Sequence, residues 1–180
     1  MSDKRQLLIN RGVNARYHPL SLSEYPHKKA SDLINWIENC NDDLNNGKGL
    51  NIIGNNEASY DLSMLLARAI ILSNIYKKFR VIPFASIVND SDILDRLSDD
   101  GFPPIMITCF HPDTLSVDPR EYSYLETIIM YKYFDTLTPV FFHINADFVE
   151  KDSVEIGDLA SPLFTDRLFS INSKLIVGKK

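Results

Sequence analysis

The chain has 180 residues, 44% hydrophobic and 24% charged, the makeup of one soluble globular domain with room for a sizeable core. A net charge of -5 excludes a protein that gathers nucleic acid by overall charge, although a local basic patch stays open. No apolar run approaches the roughly 18 residues of a membrane helix, and the opening MSDKRQLLIN lacks the apolar core of a signal peptide. Cys40 and Cys109 sit in apolar-patterned segments and read as buried thiols of a cytoplasmic protein, not as a disulfide framework.

Residues 1–30 read as an irregular, polar N-terminal arm punctuated by Pro19 and Pro26, ahead of a single domain over residues 31–180. Ser31–Asn46 is predicted helical, with Leu33, Ile37, Cys40 and Leu44 on one face. Leu50–Ile53 is predicted as the first strand. Gly54 and a turn then lead to a helix over Asp61–Lys78 that is apolar almost all round, as a buried helix is. Strands are predicted at Phe79–Phe84, Ile105–Cys109, Pro139–Ile144 and Lys174–Val177. Helices are predicted at Asp90–Leu97, Pro119–Thr136 and Leu159–Phe169. Strands alternate with helices and are continuous apolar runs. That pattern predicts an α/β three-layer sandwich, a parallel sheet of five strands covered by helices on both faces.

The stretch GLNIIGNNEASYDLSMLLARAI has the strand, loop, helix layout of a P-loop. The P-loop signature is G-x-x-x-x-G-K-[ST], in which backbone amides cradle phosphates and the Lys reaches the β- and γ-phosphates. Laid on this chain from Gly54, Ser59 falls at the second Gly, Tyr60 at the Lys and Asp61 at the magnesium-binding hydroxyl. Asp61 and Glu57 would repel phosphate, and Asp61 is expected to cap the helix.

Further segments carry a resemblance. ARYHPLSLSEYP, WIENCNDDLNNGKGLNIIG, FPPIMITCF, TPVFFHINADF and LASPLFTDRLFSI follow one another as do the segments of the AAA+ domain in bacterial and phage helicase loaders of the DnaC and DnaI type and in the related IstB transposition helper. The resemblance covers nearly the whole chain and implies a sheet order 5-1-4-3-2. It implies that Asn145 stands at sensor 1 and Arg167 at the arginine-finger position. Thr108 and Cys109 hold the places of the two Walker B acids, and Asp113, beyond Pro112, is a poor substitute by spacing. With the Lys, the metal ligand and the general base all replaced, little remains to stabilise phosphoryl transfer. No cofactor and no metal is assigned, because Cys109, His111 and Asp113 lack a second ligand pair at zinc spacing. His18, His27 and His143 receive no catalytic role.

For nucleic acid, the candidates are Lys4, Arg5, Arg11 and Arg16, then Lys28 and Lys29, then Lys77, Lys78 and Arg80, with Tyr17 and Tyr25 interleaved. Solvated loop charge is the blander reading of the same residues. Tyr122, Tyr124, Tyr131 and Tyr133 divide between core and interface rim. The expected function is a DNA replication accessory that binds other proteins, either a replicative helicase, a helicase loader or an initiator. Single-stranded DNA and further copies of the chain are additional expected partners. The alternatives are a divergent ATPase of the loader class and a transposition-helper-like DNA-binding adaptor. The compact size and stripped motifs point to a phage or mobile element.

Overall fold

Seventeen-residue and shorter helices cover both faces of one parallel sheet. The computed structural model describes residues 3–76, 78–98, 103–111, 118–146, 148–149, 153–154 and 160–177. The strands are β1 (Leu50–Ile53), β2 (Arg80–Pro83), β3 (Ile105–Phe110), β4 (Val140–Ile144), a two-residue pair β5 (Phe148–Val149) and β6 (Ser153–Val154), and β7 (Ser173–Ile176). The sheet order is β2-β3-β4-β1-β7, all neighbours parallel. Read from the other edge, this is the order implied by the resemblance, with the strand of the P-loop layout inside the sheet. β5 and β6 form a separate antiparallel ribbon that periodicity could not reveal in so few residues.

The helices are α1 (Asp3–Asn10), α2 (Lys28–Asn39), α3 (Asn41–Asn45), α4 (Glu57–Ser73), α5 (Phe84–Val88), α6 (Ser91–Ser98), α7 (Pro119–Ile128) and α8 (Pro162–Ile171). A π-helix over Ile129–Phe134 continues α7. Alternate strand residues feed two cores, as the pleat requires. Ile52, Met106 and Phe141 join Leu33 of α2 and Leu62 and Leu66 of α4 in one. Ile53, Ile107 and Phe142 join Phe84, Leu125 and Leu168, from α5, α7 and α8, in the other.

The N-terminal segment departs from its reading as an irregular arm. It forms α1 and 3-10 turns at Ala15–Tyr17 and Leu22–Glu24. Leu8, Val13, Tyr17 and Leu22 are buried in the α4 core. Polar residues on the outer face hid a sparse apolar set. Arg11 O accepts from Val81 N at 2.8 Å, so the segment pairs with the sheet edge at β2. Gly12, at φ +85°, permits that approach, since a Cβ there would lie 2.3 Å from Val81 O.

Other boundaries shift for local reasons. The helix predicted over Ser31–Asn46 is two helices that break at Cys40. The helix predicted to Lys78 ends at Ser73, where Asn74 adopts the left-handed conformation of a helix stop. The predicted helix to Thr136 becomes π-helical from Ile129, and Leu137 follows at φ +54°. Among the described residues, no helix is long and apolar enough to cross a membrane.

Candidate functional site

The site is built where β1 meets α4. β1 is buried throughout and ends at Gly54, whose N donates to Ile144 O of β4 at 3.0 Å. A Cβ on Gly54 would stand 2.7 Å from Val177 O and 2.9 Å from the Ser59 Cβ, so the chain turns there in close contact with its neighbours. Helix α4 begins at Glu57, not at Asp61 as expected, and its cap is Asn56. Asn56 Oδ1 accepts from Ser59 N at 2.9 Å, and Asn56 Nδ2 donates to Val177 O at 2.9 Å. The cap adds a helical turn where the phosphate-cradling loop of a P-loop would lie, and it uses one of the amides a phosphate would need.

Ser59 turns inward. Its hydroxyl reaches Gly54 O at 2.8 Å, Asn56 O at 2.7 Å and His143 Nε2 at 3.1 Å. His143, on β4, accepts from Cys109 N through Nδ1 at 3.1 Å. An Nδ1 that accepts leaves the proton on Nε2, so His143 donates to Ser59 and Ser59 donates to a carbonyl. Burial pushes the His143 pKa down to about 4, against a smaller opposing effect of Gly54 backbone. One neutral imidazole thus links the start of α4, the end of β3 and β4. Tyr60 closes the same place, with its ring 5.6 Å from His143 and 6.3 Å from Tyr17, both edge-on.

Protonating this imidazole removes an acceptor from Cys109 N and places a charge in the core. Its folded pKa lies below the unfolded value near 6.5, so its contribution is complete above pH 6.5 and is lost as pH falls toward 4. Between pH 7 and 4.5 wild type should lose about 2–3 kcal/mol more than His143→Gln in urea unfolding. Equal losses in both proteins would remove His143 from this account.

Asp61 is the centre of a second cluster. Arg16 pairs with it at 2.5 Å, Tyr17 Oη donates to Oδ1 at 2.5 Å and Tyr25 Oη donates to Oδ2 at 2.7 Å. Arg16 also bonds the Tyr17 hydroxyl, lies 4.6 Å from that ring's centre and meets Glu57 at 3.4 Å. Burial first, and the hydrogen bond to Asp61 next, push the Tyr17 and Tyr25 phenols far above their ordinary range, so both remain donors. The Asp61 side chain keeps 16% of its exposure. The position of a metal-binding hydroxyl therefore holds a carboxylate occupied by the chain's own donors.

The other expected residues separate. Thr108 is buried within β3, two residues before its end, and Cys109 is exposed at φ +56° beside a register shift. Asp113 and Lys77 lie outside the described residues. Asn145 N donates to Phe110 O at 3.1 Å and ties the ends of β3 and β4. Arg167 pairs with Asp135 at 2.7 Å within its own chain. Arg16 and Tyr25 are drawn to Asp61, Tyr17 is buried, and Lys29 pairs with Asp32 at 2.9 Å on the surface. Lys28 and Lys78 stay at the surface. Tyr122 and Tyr133 are core, whereas Tyr124 and Tyr131 are exposed.

Sequence reading missed His143, Asn51 and Asn172. The two asparagines are buried. Asn172 Oδ1 accepts from Gly49 N at 2.9 Å, and its Nδ2 donates to Asn51 Oδ1 at 2.8 Å and Val140 O at 2.9 Å, which clamps the base of β1. A polar residue inside an otherwise apolar strand, as at Asn51 and His143, was the available signal.

An α/β P-loop-type sheet in AAA+ order, with a strand-loop-helix site at its centre, defines the class of fold. Within that class the fold is helicase-loader-like. The crystal structure of the DnaC helicase loader superposes with a TM-score of 0.65 at 16% identity, over 91% of this chain and 99% of that one. A protein named as a candidate primosome component from Streptococcus pyogenes serotype M3 superposes with a TM-score of 0.61 at 12% identity, over 99% and 100% of the two chains. No protein-family model and no curated protein matches the sequence.

Proposed function

We propose that this chain is a DNA replication accessory protein in which a helicase-loader-like fold serves as a binding platform and not as an ATPase. The observation that carries this reading is the internally filled site. Ser59 and His143 take the place of the cradle, Tyr60 stands where a Lys would, and Arg16, Tyr17 and Tyr25 saturate Asp61. A fold kept with its phosphate site closed is suited to recognition. Both similar structures bear names tied to replication, a helicase loader and a primosome component. The partner in this reading is a replicative helicase, its loader or an initiator, met in the cytoplasm. The pairing of Arg167 with Asp135 is consistent with an arginine that does not serve a neighbouring subunit's nucleotide.

Size-exclusion chromatography with helicase and loader tests the partner. Co-migration with one of them is expected. Failure with both, together with tight DNA binding, would favour the transposition-helper-like adaptor.

A further inference from the structure

A cavity of about 490 Å³ lies between α1 and α4. Its lining carries Lys4, Arg5 and Arg68 and contains no Asp or Glu, although the chain as a whole is acidic at -5. Lys4 and Arg5 are exposed and form no ion pair among the described residues. Arg68 donates through Nε to His18 O at 3.1 Å, which aims the guanidinium and leaves its terminal nitrogens for another acceptor. On each helix a cation stands one turn before a leucine, Lys4 before Leu8 and Arg68 before Leu72, so both helices bring charge and apolar surface to the same cavity. His18 lines it as well. The His18 Nε2 meets Val13 O at 2.9 Å, and a carbonyl only accepts, so the proton sits on Nε2 and Nδ1 is left as an acceptor. That Nδ1 is buried and has no partner among the described residues.

We propose that this cavity receives an acidic protein segment that carries a large apolar side chain. Its carboxylates would meet Lys4, Arg5 and Arg68, and its apolar side chain would pack on Leu8 and Leu72. The proposal assigns a surface to the binding platform described above and rests on that reading. His18 decides among anions. A polypeptide brings backbone N–H groups, one of which can satisfy Nδ1, whereas a phosphodiester backbone or a fatty acid carboxylate brings no donor. No Phe, Tyr or Trp lines the cavity, so it offers no stacking platform for a base. Charge-assisted contacts from two helices would fix the segment's position, and the apolar contact would discriminate it from other acidic chains. Arg68 is the one cation of α4, set in an apolar helix, so no local basic run announced this cavity in the sequence.

The test is fluorescence anisotropy on the full chain with a labelled peptide, acetyl-EELEEFEE-amide, at low salt. Wild type should bind it at roughly micromolar concentration, and added salt should weaken the binding. Lys4→Glu/Arg5→Glu should weaken it about tenfold or more. Both side chains are exposed, so the thermal midpoint should hold. Ala15→Trp fills the cavity from an exposed position at unchanged charge and should weaken binding severalfold. Lys28→Glu/Lys78→Glu changes net charge as much as the first variant but lies outside the cavity lining, and should bind within about twofold of wild type. No binding by wild type, or an equal loss in that control, overturns the proposal. A peptide EESEESEE bound as tightly overturns the apolar contact. Competition by oligo-dT as effective as by unlabelled peptide overturns the choice of ligand and assigns the cavity to phosphates. Co-migration with helicase or loader is scored on the same preparation. Failure of this site shows as absent peptide binding with co-migration kept, and failure of the platform reading shows as absent co-migration.

Discussion

Asp61→Ala should lower stability by about 4 kcal/mol. Asp61 accepts from Arg16, Tyr17 and Tyr25, and hydrogen bonds to a charged group contribute roughly 1.5–3 kcal/mol each. Their sum is too large, because Arg16 is about half exposed and its pairing is screened by solvent. The two phenols change the balance the other way. Tyr17 is buried and Tyr25 half-buried, and both lose their acceptor together, leaving polar groups to find new partners. For a chain of this length the loss corresponds to a fall of about 8–16 °C in the thermal midpoint. Because every donor lies between Arg16 and Tyr25, the variant should also be cleaved faster in that segment under limited proteolysis. A shift of under about 1 kcal/mol, with unchanged cleavage, would mean that burial of Tyr17 and Leu22 alone holds the segment.

The frame of the molecule was legible because its strands are apolar runs of the right length. β1 falls where predicted, and the remaining sheet strands differ by a residue or so at their ends. The order of the sheet came from the resemblance and agrees with the structure. The start of α4 was placed too late. The P-loop template drew attention to Asp61, whereas Asn56 with the acidic Glu57 behind it was the stronger local helix-start signal. The template did identify the places of Ser59, Tyr60 and Asp61. It could not show what meets them, since Arg16 is 45 residues from Asp61 and His143 is 84 from Ser59. Such pairings are fixed by the packing of β4 and the N-terminal segment against α4, and no local pattern encodes them. The N-terminal segment misled for a similar reason. Tyr17 and Tyr25 have the types of base-stacking residues, but the half-buried Asp61 carboxylate accepts a hydrogen bond from both.

The second large effect concerns nucleotide. A P-loop sets a Lys, a free helix N-terminus and a magnesium ion against the triphosphate charge. Here Tyr60 offers no charge, the cap from Asn56 uses the Ser59 amide, and Glu57 faces solvent with 77% of its side chain exposed at the helix start. A metal ion would have to displace Arg16 from Asp61. Relative to a micromolar site, a thousandfold weakening is a loss of about 4 kcal/mol, well within the removal of several charge-assisted contacts. Isothermal titration with ATP and Mg²⁺, run beside a phosphate-release assay on the same protein, tests the closed site most directly. The expected result is affinity no tighter than roughly millimolar and no phosphate release above the buffer blank. Micromolar binding with turnover that Asp113→Ala abolishes would contradict it and identify a divergent ATPase.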